Sequence, residues 1–261
     1  MKNILSLLIV ILISLTLSAQ TIDIKPNPTG YEGEINQVDK NGLKQGVWEE
    51  TSGRYTMYGV FVDDKKEGNW ISYHPKGIVY RLEEYANGLK NGISIEIDQR
   101  GYFTGEKHYK EGKLHGISKT FNRGATLLEE VNYFDGQING LKRTYYENKP
   151  GKVLEEAYYT MGIKDGASKW YGQNGNLIAD YQYTNGKFNG VNKTFYENGT
   201  LMIEEKFSND IPVGEYIEYW QNGIVKISGS FQDGLKEGKW LEFDEAGNQV
   251  KETKYHKGEE K

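Results

Sequence analysis

One glycine recurs along this 261-residue chain at a nearly constant interval, and no other feature restricts the possible folds as strongly. It stands at Gly46, Gly68, Gly92, Gly116, Gly140, Gly166, Gly190, Gly214 and Gly238, with six of the eight separations equal to 24. Seven residues before eight of these glycines comes an aromatic: Phe61, Tyr85, Tyr109, Tyr133, Tyr159, Tyr183, Phe207 and Phe231. Five residues after them comes another, at Tyr73, Phe121, Tyr145, Tyr171, Phe195, Tyr219 and Phe243. A period of this length belongs to one supersecondary unit stacked in tandem, since a single unit cannot bury its apolar face alone. Nine such repeats occupy residues 39–261.

Two turn signals per unit set the secondary structure. Asn41-Gly42, Asn87-Gly88, Asp135-Gly136, Asn185-Gly186 and Asp233-Gly234 come just before the recurring glycine; Asn174-Gly175, Asn198-Gly199 and Asn222-Gly223 come about nine residues after it. Asn-Gly and Asp-Gly supply the two positive φ values of a type I′ turn, whose twist suits antiparallel strands. Both turns are therefore expected to be of this type, and Pro75, Pro150 and Pro212 are expected within turn segments, where no ladder donor is lost. The expected fold is all-β: an elongated, single-layer antiparallel meander, a β-hairpin solenoid of about eighteen strands, each repeat touching mainly its neighbours. Strand glycine costs stability, so its recurrence needs a reason; the expected one is an aromatic of the adjacent strand packed over a bare backbone.

Residues 1–19 have the pattern of a secretory signal peptide, with Lys2 before an apolar run from Ile4 to Leu17 and then Ser18, Ala19 and Gln20. Cleavage is expected after Ala19 or Ser18. Fourteen residues, interrupted by Ser6, Ser14 and Thr16, are short for a membrane span, which needs about 20, although an uncleaved anchor is the alternative. Residues 20–38, with Pro26, Pro28 and Gly30, read as a linker. The chain has no Cys, which excludes a lipoprotein anchor, a disulfide framework and a thiolate site. A net charge of -5 argues against nucleic acid, whose binding needs clustered Lys and Arg.

The repeated Tyr-x-Asn-Gly-x-x-x-Gly pattern, as at Tyr85 to Gly92, and the Phe-Tyr-Glu-Asn-Gly turn at Phe195 to Gly199 resemble the MORN-repeat variant of bacterial proteins. The resemblance covers nearly the whole chain after the leader and implies sheets built from hairpins. It also implies roles variously tied to phospholipid contact, protein scaffolding or an antitoxin label, without a diagnostic residue for any of them. An exported chain fits poorly with an antitoxin against a cytoplasmic toxin.

Aligning the repeats exposes two candidate surfaces. Lys119, Arg143, Lys169 and Lys193 form a basic column, matched by an acidic column at Glu130, Glu156, Asp180 and Glu204. A two-residue turn sets Lys169 against Asp180 and Lys193 against Glu204, so the basic column reads either as a cross-strand ion-pair ladder or as a stripe for anionic lipid or polysaccharide. In the ladder reading, Lys169→Glu sets like charges opposite each other, and adding Asp180→Lys is expected to recover much of the stability lost. Tyr146, Tyr196 and Trp220, near hairpin tips, read either as packing partners or as a surface for sugars or a membrane interface.

A further pattern separates central units from end units. Central units place an aliphatic directly after the glycine, at Ile93, Ile117, Leu141, Ala167 and Val191, whereas end units place the apolar residue one position later, at Trp70, Tyr216 and Trp240. Adjacent strand positions face opposite sides, so the apolar content changes face toward the ends, as a cap or as a docking patch. Catalytic, metal and cofactor sites are not expected. His108 and His115 with Glu106 and Glu111 match no ligand spacing, and adjacent acids such as Glu129 and Glu130 point to opposite faces. The expected function is a secreted or periplasmic non-catalytic scaffold that binds a protein, an envelope polysaccharide or a membrane surface. An antitoxin-like role and an envelope hydrolase are the alternatives.

Overall fold

A computed structural model describes residues 31–261. The expected leader at 1–19 and the linker up to residue 30 lie outside the described residues. Of the two units of the chain, Met1–Glu34 and Ile35–Lys261, the second carries all the strands of the described residues. The described residues form 22 strands and no helix. Two strands are broken for one residue, at His115 and Asn189, and a two-residue stub lies at each end, Gln37–Val38 and Glu259–Glu260. Eighteen full strands remain, from Lys44–Ser52 to Gln249–His256. Each pairs antiparallel with its neighbours in sequence, giving one open meander that does not close into a barrel.

The two turn families differ, which corrects the expectation of one turn type. From the second unit on, turns before the recurring glycine are two-residue type I′, with positive φ at both positions, as at Asn87 (52°) and Gly88 (82°), whereas Asn41-Gly42 lies in a longer turn with positive φ at Gly42 alone. Turns after it are longer, except in the first unit, where Ser52 pairs with Tyr55 across the two residues Gly53 and Arg54. Gly175 donates to the Gly172 carbonyl at 2.8 Å and Gly172 donates to the Asn176 carbonyl at 2.8 Å, while only Gly175 of the loop has positive φ. This is a type I turn closed by a left-handed residue that forms a bulge. The bulge shifts the register by one residue between Trp170 and Tyr171, yet Lys169 still faces Asp180. Pro75 and Pro150 lie in turns, whereas Pro212 lies within strand Ile211–Tyr219, just after its turn.

The recurring glycine sits at a second bulge, and its reason is φ rather than a stacked aromatic. All nine have positive φ, from 65° at Gly68 to 122° at Gly190. Around Gly140 the register jumps between Val131, paired with Lys142, and Tyr133, paired with Ile138. At this jump the strand edge is used to tie one turn to the next. Gly88 N–H donates to the Lys66 carbonyl, and Gly112, Gly136, Gly186, Gly234 and Gly258 make the same bond one unit on. The side chain just before the bulge glycine accepts from the first residue of the next turn, as Glu67 does from Asn87 at 2.9 Å and Glu237 from Lys257 at 2.7 Å. The glycines also divide into two groups. Those of end units, Gly46, Gly68, Gly214 and Gly238, have φ of 65–76° and open space where a Cβ would go. Those of central units, Gly92 to Gly190, have φ of 92–122° and abut the residue eight positions earlier, such as Asn132 beside Gly140 and Gln182 beside Gly190.

This division coincides with the change of apolar face read from the sequence. In end units the residue two after the glycine is buried on one face: Trp70 is 2% exposed and Trp240 5%. On that same face the central units carry small buried residues, Ser94, Ser118, Ala157 and Ser168, and their aliphatics lie on the other face, where Ile117 is 47% exposed. Trp70 and Trp240 bury themselves in a one-layer sheet by lying flat on glycine backbone. A Cβ on Gly59 would land within the Trp70 indole, and one on Gly229 within that of Trp240. Lys66 and Lys236 cover the outer faces of these rings, with Nζ 3.8 Å and 4.1 Å from the centroids, and Phe61 and Phe231 meet them edge-on. The core is thus a column on one face, closed by the stems of long side chains rather than by a second layer.

Candidate functional site

The basic column lies within one continuous row of alternating charges. Direct cross-strand partners run Glu106, Lys119, Glu130, Arg143, Glu156, Lys169, Asp180, Lys193 and Glu204. Lys119–Glu130 (3.5 Å), Arg143–Glu156 (3.1 Å), Lys169–Asp180 (4.0 Å) and Lys193–Glu204 (2.9 Å) are ion pairs. Tyr145 and Tyr171 donate their hydroxyls to Glu130 and Glu156, each at 2.7 Å. Burial and the hydrogen bond to Glu156 push the Tyr171 hydroxyl up to about 12. Burial raises the Glu156 carboxyl, but the bonds from Tyr171 and Arg143 and the charge of Lys169 outweigh it and hold the group below its ordinary range.

Because each charge has an opposite charge on both sides, the row changes what a charge exchange does. Lys169 lies between Glu156 and Asp180, and Asp180 between Lys169 and Lys193. Swapping Lys169 and Asp180 repairs their own contact but sets Glu beside Glu156 and Lys beside Lys193. The large recovery expected from an isolated pair is therefore replaced by a smaller one. Each single reversal is expected to cost about 0.5–1 kcal/mol, and the double variant to stay below wild type by a similar amount. Urea midpoints of the two singles and the double check this, and complete recovery would show that the pairs act separately.

The three tip aromatics are brought together along the edge formed by the longer turns, where they tie successive tips. The Tyr146 hydroxyl donates to the Tyr171 carbonyl (2.8 Å), Tyr196 to Tyr219 (2.7 Å), and the Trp220 indole N–H to Phe243 (3.0 Å). Asn176 and Asn222 donate in the same direction, to the carbonyls of Glu197 (2.8 Å) and Glu245 (2.9 Å). Tip positions matching Tyr146, Tyr196 and Trp220 carry Asn122, Gly172 and Asp244 elsewhere, so Tyr196 and Trp220 are consecutive aromatics with a step on either side. An open cleft of about 550 Å³ lies there, lined by Tyr196, Trp220, Gln221, Asn222 and Glu245.

A ring cluster in the N-terminal units was not singled out by the sequence reading. Tyr55 stacks on Tyr80 at 4.5 Å, and His74 meets both edge-on with its Nε2 buried and without a hydrogen-bond partner. His108 bonds Glu106 at 2.9 Å and His115 lies against Phe134. Among the described residues no cluster of three or more His, Asp or Glu is arranged to hold a metal ion.

Glu205 is the exception among acids of the aromatic face. Glu83 pairs with Lys90 at 2.6 Å, but Pro212 stands opposite Phe207 where Lys90 stands opposite Tyr85, and Glu205 has no ion pair among the described residues. Burial raises its pKa. The folded state therefore binds this proton more tightly than the unfolded state, and Glu205 contributes most below the ordinary carboxylate range, losing it as pH rises through the raised value. Glu156 has the opposite sign: its contribution is present above the ordinary range and lost as pH falls through the depressed value. Glu205→Gln is expected to stabilise at pH 7 by up to about 1 kcal/mol and Glu156→Gln to destabilise, both effects shrinking near pH 3. Denaturation midpoints over that range measure it.

No curated protein matches the chain. Four stretches, residues 66–87, 164–185, 188–209 and 212–233, match the family model described as MORN repeat variant. Each covers one hairpin closed by the longer turn, such as strands Lys65–Tyr73 and Val79–Ala86, and stops at or one residue past the start of the type I′ turn that leads to the next. The same hairpin, bulge and turn-to-turn bonds run through the described sheet, so the chain is a tandem-repeat protein similar to the MORN-repeat family, with four of its repeats matching that family's model.

Proposed function

We propose that this protein is an exported, non-catalytic scaffold whose repeats present a long edge and two unlike faces to a partner in the cell envelope. The observation that carries this reading is how the repeats use their polar groups. The four basic residues are neutralised within their own row, while the tip edge keeps a cleft with aromatic walls and unengaged polar side chains. That arrangement favours a protein or polysaccharide over an anionic membrane, whose attraction needs basic groups free of acidic neighbours. Export rests on the apolar run from Ile4 to Leu17 followed by Ser18 and Ala19.

Two measurements test the reading. Fractionation of cells expressing the full chain, with N-terminal sequencing, is expected to give an envelope or secreted product beginning at Gln20 or Ala19; a cytoplasmic product with Met1 retained overturns export. Sedimentation with vesicles rich in phosphatidylserine is expected to show little binding. Salt-sensitive binding that vanishes when Lys119, Arg143, Lys169 and Lys193 are all changed to Gln would make the membrane the partner.

A further inference from the structure

We propose that the tip cleft at Tyr196 and Trp220 binds a neutral oligosaccharide, an assignment that deepens the scaffold reading and rests on it. Pyranose rings present one face of C–H groups and a rim of hydroxyls, so their recognition calls for an aromatic surface beside planar polar side chains. The cleft supplies both. Tyr196 and Trp220 begin consecutive tips, about 9.6 Å apart from the spacing of two strands, a span suited to alternate sugar units on one chain.

The aromatics are held before any ligand arrives. The Tyr196 hydroxyl is fixed on the Tyr219 carbonyl and the Trp220 indole on that of Phe243. Lys226 lies over the Trp220 ring at 4.8 Å while its Nζ pairs with Glu218 at 2.6 Å, so the cation is already neutralised. A fixed ring loses little freedom on binding, which is where preorganisation adds affinity.

The polar groups choose the ligand class. Asn222 is spent on the tip itself, donating to the Glu245 carbonyl and accepting from Ile224 N–H. Gln221 and the Glu245 carboxylate make no hydrogen bond or ion pair among the described residues, and both line the cleft. An amide with donors and acceptors and a carboxylate with acceptors only match vicinal hydroxyls. Glu197, Asp244 and Glu245 make this part of the edge acidic, which disfavours phosphate, uronic acid and lipid headgroups. The step at Gly172 on one side and at Asp244 on the other confines the site to these two tips.

The test titrates the chain without its leader with cellohexaose, chitohexaose and maltohexaose, following the Trp220 indole N–H by NMR. At least one neutral hexasaccharide is expected to shift that signal saturably at millimolar concentration, and a hexasaccharide of uronic acids is not. Trp220→Ala is expected to weaken binding by at least about tenfold, the loss of one stacked ring. Because that change also removes a bond between tips, Gln221→Ala with Glu245→Ala is the second variant: these side chains hold nothing else, so binding falls severalfold with Tm unchanged. The proposal is overturned if no neutral hexasaccharide moves the Trp220 signal, or if the Gln221 and Glu245 double variant binds as wild type does. The scaffold reading survives either result if the product is exported and stays off anionic vesicles, and falls separately if it does not.

Discussion

Replacing Gly229 with alanine is expected to destabilise the C-terminal hairpins by about 3 kcal/mol, a large effect for a single methyl group. The added carbon would occupy the plane of the Trp240 indole, which lies on the glycine backbone and is almost fully buried. The backbone cannot retreat, because Gly229 pairs with Tyr216 on one side and its strand pairs with Leu235–Phe243 on the other. The indole must leave, losing its contacts with Phe231, Tyr216 and Tyr255 together with the cover of Lys236. The penalty should shrink to about 1 kcal/mol when Trp240 is first changed to Val, since the space is then free. Hydrogen exchange in strands Val225–Gln232 and Leu235–Phe243 reads the effect locally, because a linear array transmits it mainly to its neighbours. A cost that is small, or that does not depend on Trp240, would refute this account of how a one-layer sheet buries tryptophan.

The second large effect separates the two kinds of bulge glycine. Gly190→Ala is expected to cost about 2–3 kcal/mol and Gly238→Ala about 1 kcal/mol, although the two residues occupy the same place in their repeats. Gly190 has φ of 122°, far from the left-handed region open to other residues, and a Cβ there would lie 3.0 Å from that of Gln182. Gly238 has φ of 76° with nothing within 4 Å, so asparagine, which tolerates that region, is expected to cost less than alanine. Urea midpoints for both substitutions at both sites decide the matter. Equal costs would mean that φ does not distinguish central from end repeats.

Two other readings follow from the same geometry. The recurring glycine was expected to lie beneath an aromatic, and it is instead the pivot of a bulge. The glycines that do lie beneath aromatics, Gly59 and Gly229, stand outside the recurring series. Their signal was present, since each precedes a buried Trp by eleven residues, and both pairs fall in end units. That signal has meaning only once the strands are paired, because two residues eleven apart meet only across a turn of known length.

What the sequence by itself determined is everything local to a repeat. The dipeptides Asn87-Gly88 and Asp135-Gly136 fix two-residue turns through their tolerance of positive φ, and strand alternation then follows with its two faces. The one-place shift from Ile117 and Val191 to Trp70 and Trp240 shows which face is buried in which repeat. Lys169 faces Asp180 as a two-residue turn would set it, but through a longer turn whose one-residue bulge restores that register. What only the tertiary structure decided are the contacts between repeats. The bulge at each glycine, the bonds from turn to turn, the link of Tyr196 to Tyr219 and the joining of four ion pairs into one row all depend on residues 11 to 24 apart that share no local pattern. A local period records what a residue does to its own hairpin. The stacking of hairpins is set by side-chain shape and backbone angle at their common border, and these exist only once the neighbour is in place.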